Sequence, residues 1–148
     1  RVDAARHQAL GVGLSLDQVG HLDHFARTHR SQAVDLTCGG PRFGPFADSS
    51  SGALQQFVAF DQAAWHAGVS FYEGRQGCND FSIGIELEGT DTAPYSEIQY
   101  AVLGSVVSAL QDHYQMPTSA VVGHMDIAPG RKTDPGPAFD WEKFWHRC

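Results

Sequence analysis

Residues 81–89 read FSIGIELEG. Phe81, Ile83, Ile85 and Leu87 alternate with Ser82, Gly84, Glu86 and Glu88, and this period of two puts the first set on one face of a β-strand and the second on the other. The apolar face predicts a strand lying on the core. On the opposite face Gly84 leaves space beside Glu86, so a carboxylate is expected to stand over an open patch of sheet.

Downstream, Ser96 with Gln99 forms a capping-box pattern. It opens a helix through Ile98, Val102, Val106, Ala109 and Leu110 that must stop before Pro117. Val102, Val106 and Leu110 are its expected core stripe. A short strand follows at 120–122, and His124 should emerge where it ends. Asp140, Trp141 and Phe144 begin a short terminal helix. Upstream, AWHAGVSFYEGRQGCND (64–80) holds too many glycines for a regular element and predicts a long surface loop carrying aromatics. Ala53–Phe60 reads as a strand, and Thr37–Gly52 as mostly loop. Ser15 starts a helical spacing through Leu16, Val19, Leu22 and Ala26 to about His29. Residues 1–14 carry no clear pattern. Strands and helices mix without repeats, which predicts one α/β domain over residues 1–148 with helices packed on a central sheet.

At 148 residues the chain is long enough to bury a core without staples. A formal charge of -7, with Lys and Arg scattered, argues against nucleic-acid binding. No apolar run is long enough to span a bilayer. The sequence carries no signal peptide, although it begins at Arg1 rather than Met. Cys38, Cys78 and Cys148 make no CxxC pair, and an odd count without pattern slightly favours a reducing compartment. Eight histidines invite a metal hypothesis. Of these, His21, His24, His29, His113 and His146 sit in contexts where an exposed side chain is expected.

The candidate chemistry lies in GHMDIAPGRKTDPGPAFD, residues 123–140, a loop stiffened by Pro129, Pro135 and Pro137. A zinc hydrolase needs three protein ligands and an open position where bound water becomes a nucleophile. His124 and Asp134 supply two ligands. Glu86 suits the general base and Lys132 the donor to a developing oxyanion. Each residue has a plainer reading. Asp134 before Pro135 caps turns, Glu86 faces solvent, and Lys132 beside Arg131 is surface charge. Singly the plain readings win; together the residues favour a metal site. Trp65 either stacks on a sugar ring or packs under the loop, and His66 either lines the site or hydrogen-bonds to backbone. Arg75 either pairs with a substrate carboxylate or stays solvated. Cys78 reads as structural rather than nucleophilic.

The segments FVAFDQAAWHAGVSFYEGRQGCNDFSIGIELEGTDTAPYSEIQY and GHMDIAPGRKTDPGPAFDW resemble the AmpD-type anhydro-muramyl-peptide amidases. These are zinc-dependent N-acetylmuramoyl-L-alanine amidases with the type-2 amidase, peptidoglycan-recognition-like fold. The likeness runs from about Gly52 to Trp141, and WHAGVS, CNDFSIGIELEGTD and DIAPGRKTDPGPAFDW make it highly specific. The resemblance implies a mixed sheet flanked by helices, with His124 and Asp134 as zinc ligands. It implies that Glu86 assists the attacking water, Lys132 stabilises the transition state, and Trp65 and His66 line the site. The implied substrate is a recycled cell-wall muropeptide, cut between the lactyl group of anhydro-muramic acid and L-alanine. The implied setting is the bacterial cytoplasm; the chain is expected to be a monomer that engages neither nucleic acid nor membrane.

The first third resembles the family poorly. The family carries its remaining zinc ligand in a strand close to VVHNISLPPG, where this chain offers AARHQALGVGLSLDQVG. His7-Gln8 is the nearest echo, which makes His7 the candidate third ligand. A competing register matches Leu14-Ser15-Leu16 to Ile-Ser-Leu and puts Val12, which cannot bind zinc, at the ligand position. In FGPFADSSSG, Pro45 stands where the family has a strand His. Beside the zinc amidase stands a second expectation: a peptidoglycan-fragment-binding module that keeps the groove but has lost zinc. A metal-independent amidase using Glu86 and Lys132 is a weaker third.

Overall fold

The computed structural model describes residues 12–15, 32–36, 54–56, 65–89 and 92–148. Strands β1 (Val12–Ser15), β2 (Gln32–Leu36) and β3 (Gln55–Gln56) belong to the main sheet. A small separate hairpin follows, β4 (Phe71–Tyr72) with β5 (Arg75–Gln76). The FSIGIELEG stretch forms β6 (Ser82–Leu87), and β7 (Val121–Gly123) precedes His124. The main sheet has the order β3-β2-β6-β1-β7. β2 runs parallel to β6, with Asp35 opposite Glu86, while β1 lies antiparallel to both β6 and β7. The sheet is therefore mixed, as the family resemblance implied. Gly13 sits in register with Gly84 on one side and Val122 on the other.

The alternation in β6 decides which side is core. Ile83, Ile85 and Leu87 are buried against α1 (Glu97–Tyr114) together with Phe139 and Phe144, the latter on a short helix over Trp141–Trp145. Burying a large apolar side chain of this kind contributes roughly 1.5–3 kcal/mol. The capping box at Ser96 and Gln99 is present, and α1 ends at Gln115 in a left-handed conformation (φ 55) two residues before Pro117. The buried stripe of α1 is Tyr100, Leu103, Val107, Leu110 and Tyr114. That corrects the expected helical phase: Leu110 is core, Val102 and Val106 only flank it, and Ile98 and Ala109 are exposed. Two tyrosines at the ends of the stripe outweigh the valines in area. The Tyr100 hydroxyl, moreover, accepts a bond from the Asp140 N–H at 2.7 Å, so its burial leaves that oxygen paired.

Three further expectations need correcting. Ser15 closes β1 and does not open a helix; residues 16–29, like His7, lie outside the described residues. The stretch 64–80 contains the β4–β5 hairpin and a single 3-10 turn over Cys78–Asp80. Its glycines build that structure, because the tight turn needs left-handed backbone at Glu73 (φ 43) and Gly74 (φ 90). Phe81, expected beside Ile83, has φ -149 and ψ 18 ahead of the strand, and its ring joins Ala67, Cys78 and Ile127 in a second cluster. Of Ala53–Phe60, the strand is described over Gln55–Gln56 only. No helix among the described residues is long and apolar enough to cross a membrane.

Candidate functional site

The face of β6 away from α1 carries Ser82, Gly84 and Glu86. Two segments close over it, 65–80 and 123–134. The second is placed by Gly123, where a Cβ would lie 2.7 Å from Pro135 Cδ. Only glycine lets the chain around the cis Asp134–Pro135 peptide come this close to the end of β7. His124 then opens a single helical turn, α2 (His124–Ile127), where a plain loop was expected. The Gly123 N–H is capped by Asp126 Oδ2 at 2.8 Å. The Met125 N–H donates to the Asp134 carbonyl at 2.9 Å, which brings residue 134 back beside 124.

The two predicted ligands meet as a result. His124 Nδ1 lies 3.1 Å from Asp134 Oδ2, and both residues are buried, at 3% and 5% exposure. His124 Nε2 lies 3.1 Å from the Ala67 carbonyl oxygen. A carbonyl only accepts; in the tautomer with Nε2 protonated toward it, Nδ1 turns a lone pair to the carboxylate. In that tautomer two metal-binding atoms face each other in a buried place, where a cation between them would satisfy both. Zinc suits the donor types and the spacing, since two ligands about 2.0–2.1 Å from a tetrahedral zinc stand about 3.3 Å apart. Among the described residues no third His, Cys, Asp or Glu completes the set.

The remaining candidates divide. Glu86, partly buried, is on the same face of the sheet. Lys132 is half-buried in the turn between α2 and Asp134, its N–H bonded to the Ala128 carbonyl at 3.0 Å. His66 enters the site more closely than its loop position suggested. Its ring fills the space over Gly84, and its Nε2 is in loose contact, 3.5 Å, with Ser82 Oγ. Burial pulls its pKa from 6.5 down to about 4, helped by the charge of His124 and opposed by a hydrogen bond to the Ser82 backbone. Trp65 is 88% exposed and does not pack under the loop. Arg75 lies with its guanidinium 4.0 Å over the Phe81 ring. Cys78 is buried in the second cluster, as a structural residue would be. His113 and His146 are exposed, as expected.

Sequence reasoning missed Asn79 and Arg131. Asn79 Oδ1 accepts from the His66 and Ala67 N–H groups at 3.1 and 2.7 Å. Arg131 reaches back to donate to the Ala67 carbonyl at 2.5 Å and the Val69 carbonyl at 2.8 Å. Arg131 enters the sequence reading only as the neighbour of Lys132; nothing local in the sequence shows which backbone carbonyls its fork would meet.

The family model for N-acetylmuramoyl-L-alanine amidase matches residues 21–137. The 1,6-anhydro-N-acetylmuramyl-L-alanine amidase AmpD of Escherichia coli K12 is 61% identical over 93 residues, covering 63% of this chain and 51% of the relative. The AmpD of Haemophilus influenzae is 47% identical over 95 residues, with 64% and 52% covered. The chain thus spans about half the length of the curated relatives it matches. A solved selenomethionine derivative of AmpD matches with a TM-score of 0.67 at 42% identity, over 90% of this chain and 68% of its own. Escherichia coli AmiD, solved with anhydro-N-acetylmuramic acid-L-Ala-D-gamma-Glu-L-Lys, matches with a TM-score of 0.65 at 32% identity, over 81% and 48%. With the family model extending over most of its length, the chain belongs to the N-acetylmuramoyl-L-alanine amidase family.

Proposed function

We propose that this chain is a zinc-dependent amidase that cuts muropeptides between (anhydro-)N-acetylmuramic acid and L-alanine, in peptidoglycan recycling in the bacterial cytoplasm. The observation that carries the reading is the His124–Asp134 pair, two buried metal-binding atoms 3.1 Å apart on the sheet face that bears Glu86. His124, Asp134 and His7 would hold the metal, which would supply Lewis acidity toward the scissile carbonyl and the attacking water. Glu86 takes a proton from the water as its oxygen adds to the amide carbonyl carbon. Lys132 donates to the oxyanion that develops there. The C–N bond then breaks, the leaving nitrogen takes the proton from Glu86, and the products are a lactyl carboxylate and a free L-alanyl amine. Trp65 offers an exposed ring for stacking on the sugar, His66 lines the floor, and Arg75 pairs with a stem-peptide carboxylate. The 148-residue chain acts as one domain and as a monomer, without nucleic-acid or membrane partners.

The test is incubation of the zinc-loaded protein with anhydro-N-acetylmuramyl-L-Ala-D-γ-Glu-L-Lys, with products read by mass. Release of the free tripeptide and anhydro-N-acetylmuramic acid supports the reading; intact substrate with about one zinc per chain sinks it. The binding module without zinc stays as the second reading because of one observation. β1, between the strand of Glu86 and the strand leading to His124, reads Val-Gly-Leu-Ser, with Val12 in register with Gly123. None of those residue types ligates zinc in proteins of this chemistry.

A further inference from the structure

We propose that Asn79 and Arg131 are positioning residues for His124, acting together through the main-chain carbonyl of Ala67. The proposal rests on the amidase reading for the importance of His124, but its geometry stands apart from it. The Ala67 peptide is held at both ends. Its N–H goes to Asn79 Oδ1 at 2.7 Å, and its oxygen receives Arg131 Nη2 at 2.5 Å and faces His124 Nε2 at 3.1 Å. Arg131 also grips the Val69 carbonyl through Nη2 at 2.8 Å and Nε at 3.1 Å, so its fork is fixed on two acceptors either side of Gly68. Gly68 makes this possible. Its left-handed backbone (φ +60) turns the 67 and 69 carbonyls toward one guanidinium, which lies so close that a Cβ would stand 3.2 Å from Nη1.

This clamp has a chemical consequence at the imidazole. Ring orientation and tautomer of a metal-binding histidine are set by the partner of its other nitrogen. A fixed acceptor at Nε2 keeps the proton there and leaves Nδ1 as a lone pair aimed at Asp134. Arg131 Nη2 also stands 3.4 Å from Nε2 itself. Asn79 bonds the His66 N–H at 3.1 Å as well, so one side chain sets the height of both residues over the sheet.

The experiment uses the full chain, 15N-labelled at histidine, with Asn79→Ala, Asn79→Asp, Arg131→Ala and wild type compared. The first readout is the pair of His124 ring 15N shifts in metal-free protein at pH 7.5. The second is zinc affinity by chelator competition. Wild type shows a protonated Nε2 and a bare Nδ1. Asn79→Ala and Arg131→Ala shift toward a tautomer mixture and lose about tenfold to a hundredfold in zinc affinity. Asn79→Asp, which keeps the acceptor, stays close to wild type. Arg131 is at the surface, so its variant tests the clamp even if Asn79→Ala fails to fold. A wild-type Nδ1–H tautomer, or unchanged shifts and affinity in Arg131→Ala, overturns the proposal. If the tautomer shifts as stated while wild type cleaves no muropeptide, the clamp stands and the amidase reading falls.

Discussion

The imidazole of His66 occupies the volume that a side chain at residue 84 would need: a Cβ built on Gly84 lies 2.4 Å from His66 Cγ and 2.5 Å from Nδ1. The glycine in the middle of the most strongly patterned strand is therefore the seat of a ring from another segment. Gly84→Ala must displace that ring or bend β6 beneath Glu86. We expect a loss of about 1–3 kcal/mol in stability, the usual cost of overpacking. Chemical denaturation checks it. An unchanged midpoint would mean the ring finds another rotamer at no cost.

The same burial gives a pH signature in the metal-free protein. The folded pKa of His66, about 4, lies below its ordinary 6.5, so the unfolded chain binds more protons between these values. Stability from this group is complete above about pH 6.5 and is lost as pH falls toward 4, by roughly 3 kcal/mol in all. His66→Gln, which cannot take the charge, should flatten the slope of stability against pH across that window. Denaturation midpoints at pH 7, 6, 5 and 4.5 decide it, and identical slopes for the two proteins would reject burial as the cause.

Much of this was legible because short-range patterns carried it. The period of two in 82–87, the Ser96–Gln99 box and the Pro117 stop needed no tertiary information. His124 at a strand end and Asp134 in a proline-stiffened loop could be nominated from spacing and resemblance. What escaped depended on distant partners. The phase of α1 followed the rings of Tyr100 and Tyr114 against the sheet, and Phe81 left the strand pattern for a second cluster. The clamp on Ala67 joins residues far apart in sequence, through backbone carbonyls that no residue pattern reveals. The hairpin at 71–76 hides behind its glycines, because Gly74, by composition a breaker, serves here as the turn.

The corrected helix phase can be checked directly. Leu103 of α1 is fully buried, whereas Val106 only flanks that core. Leu103→Ala should cost about 2–5 kcal/mol, and Val106→Ala distinctly less. Comparable losses for the two would restore the original stripe of Val102, Val106 and Leu110.

Substitutions at the site should separate metal binding from chemistry. Asp134→Ala and His124→Ala each remove one of the paired atoms, so zinc per chain should fall together with hydrolysis. Glu86→Gln and Lys132→Ala should keep zinc and lower kcat, Lys132→Ala by on the order of a hundredfold or more. His7→Ala tests the member of the set that lies outside the described residues: as third ligand, its removal empties the site as completely as removal of His124 does. Full zinc and normal turnover in His7→Ala would show that the ligand comes from elsewhere in the chain, with the His124–Asp134 pair still at its centre. Metal retained in Asp134→Ala would strike deeper, since the 3.1 Å pair would then be an ordinary hydrogen bond and the amidase reading would lose its support.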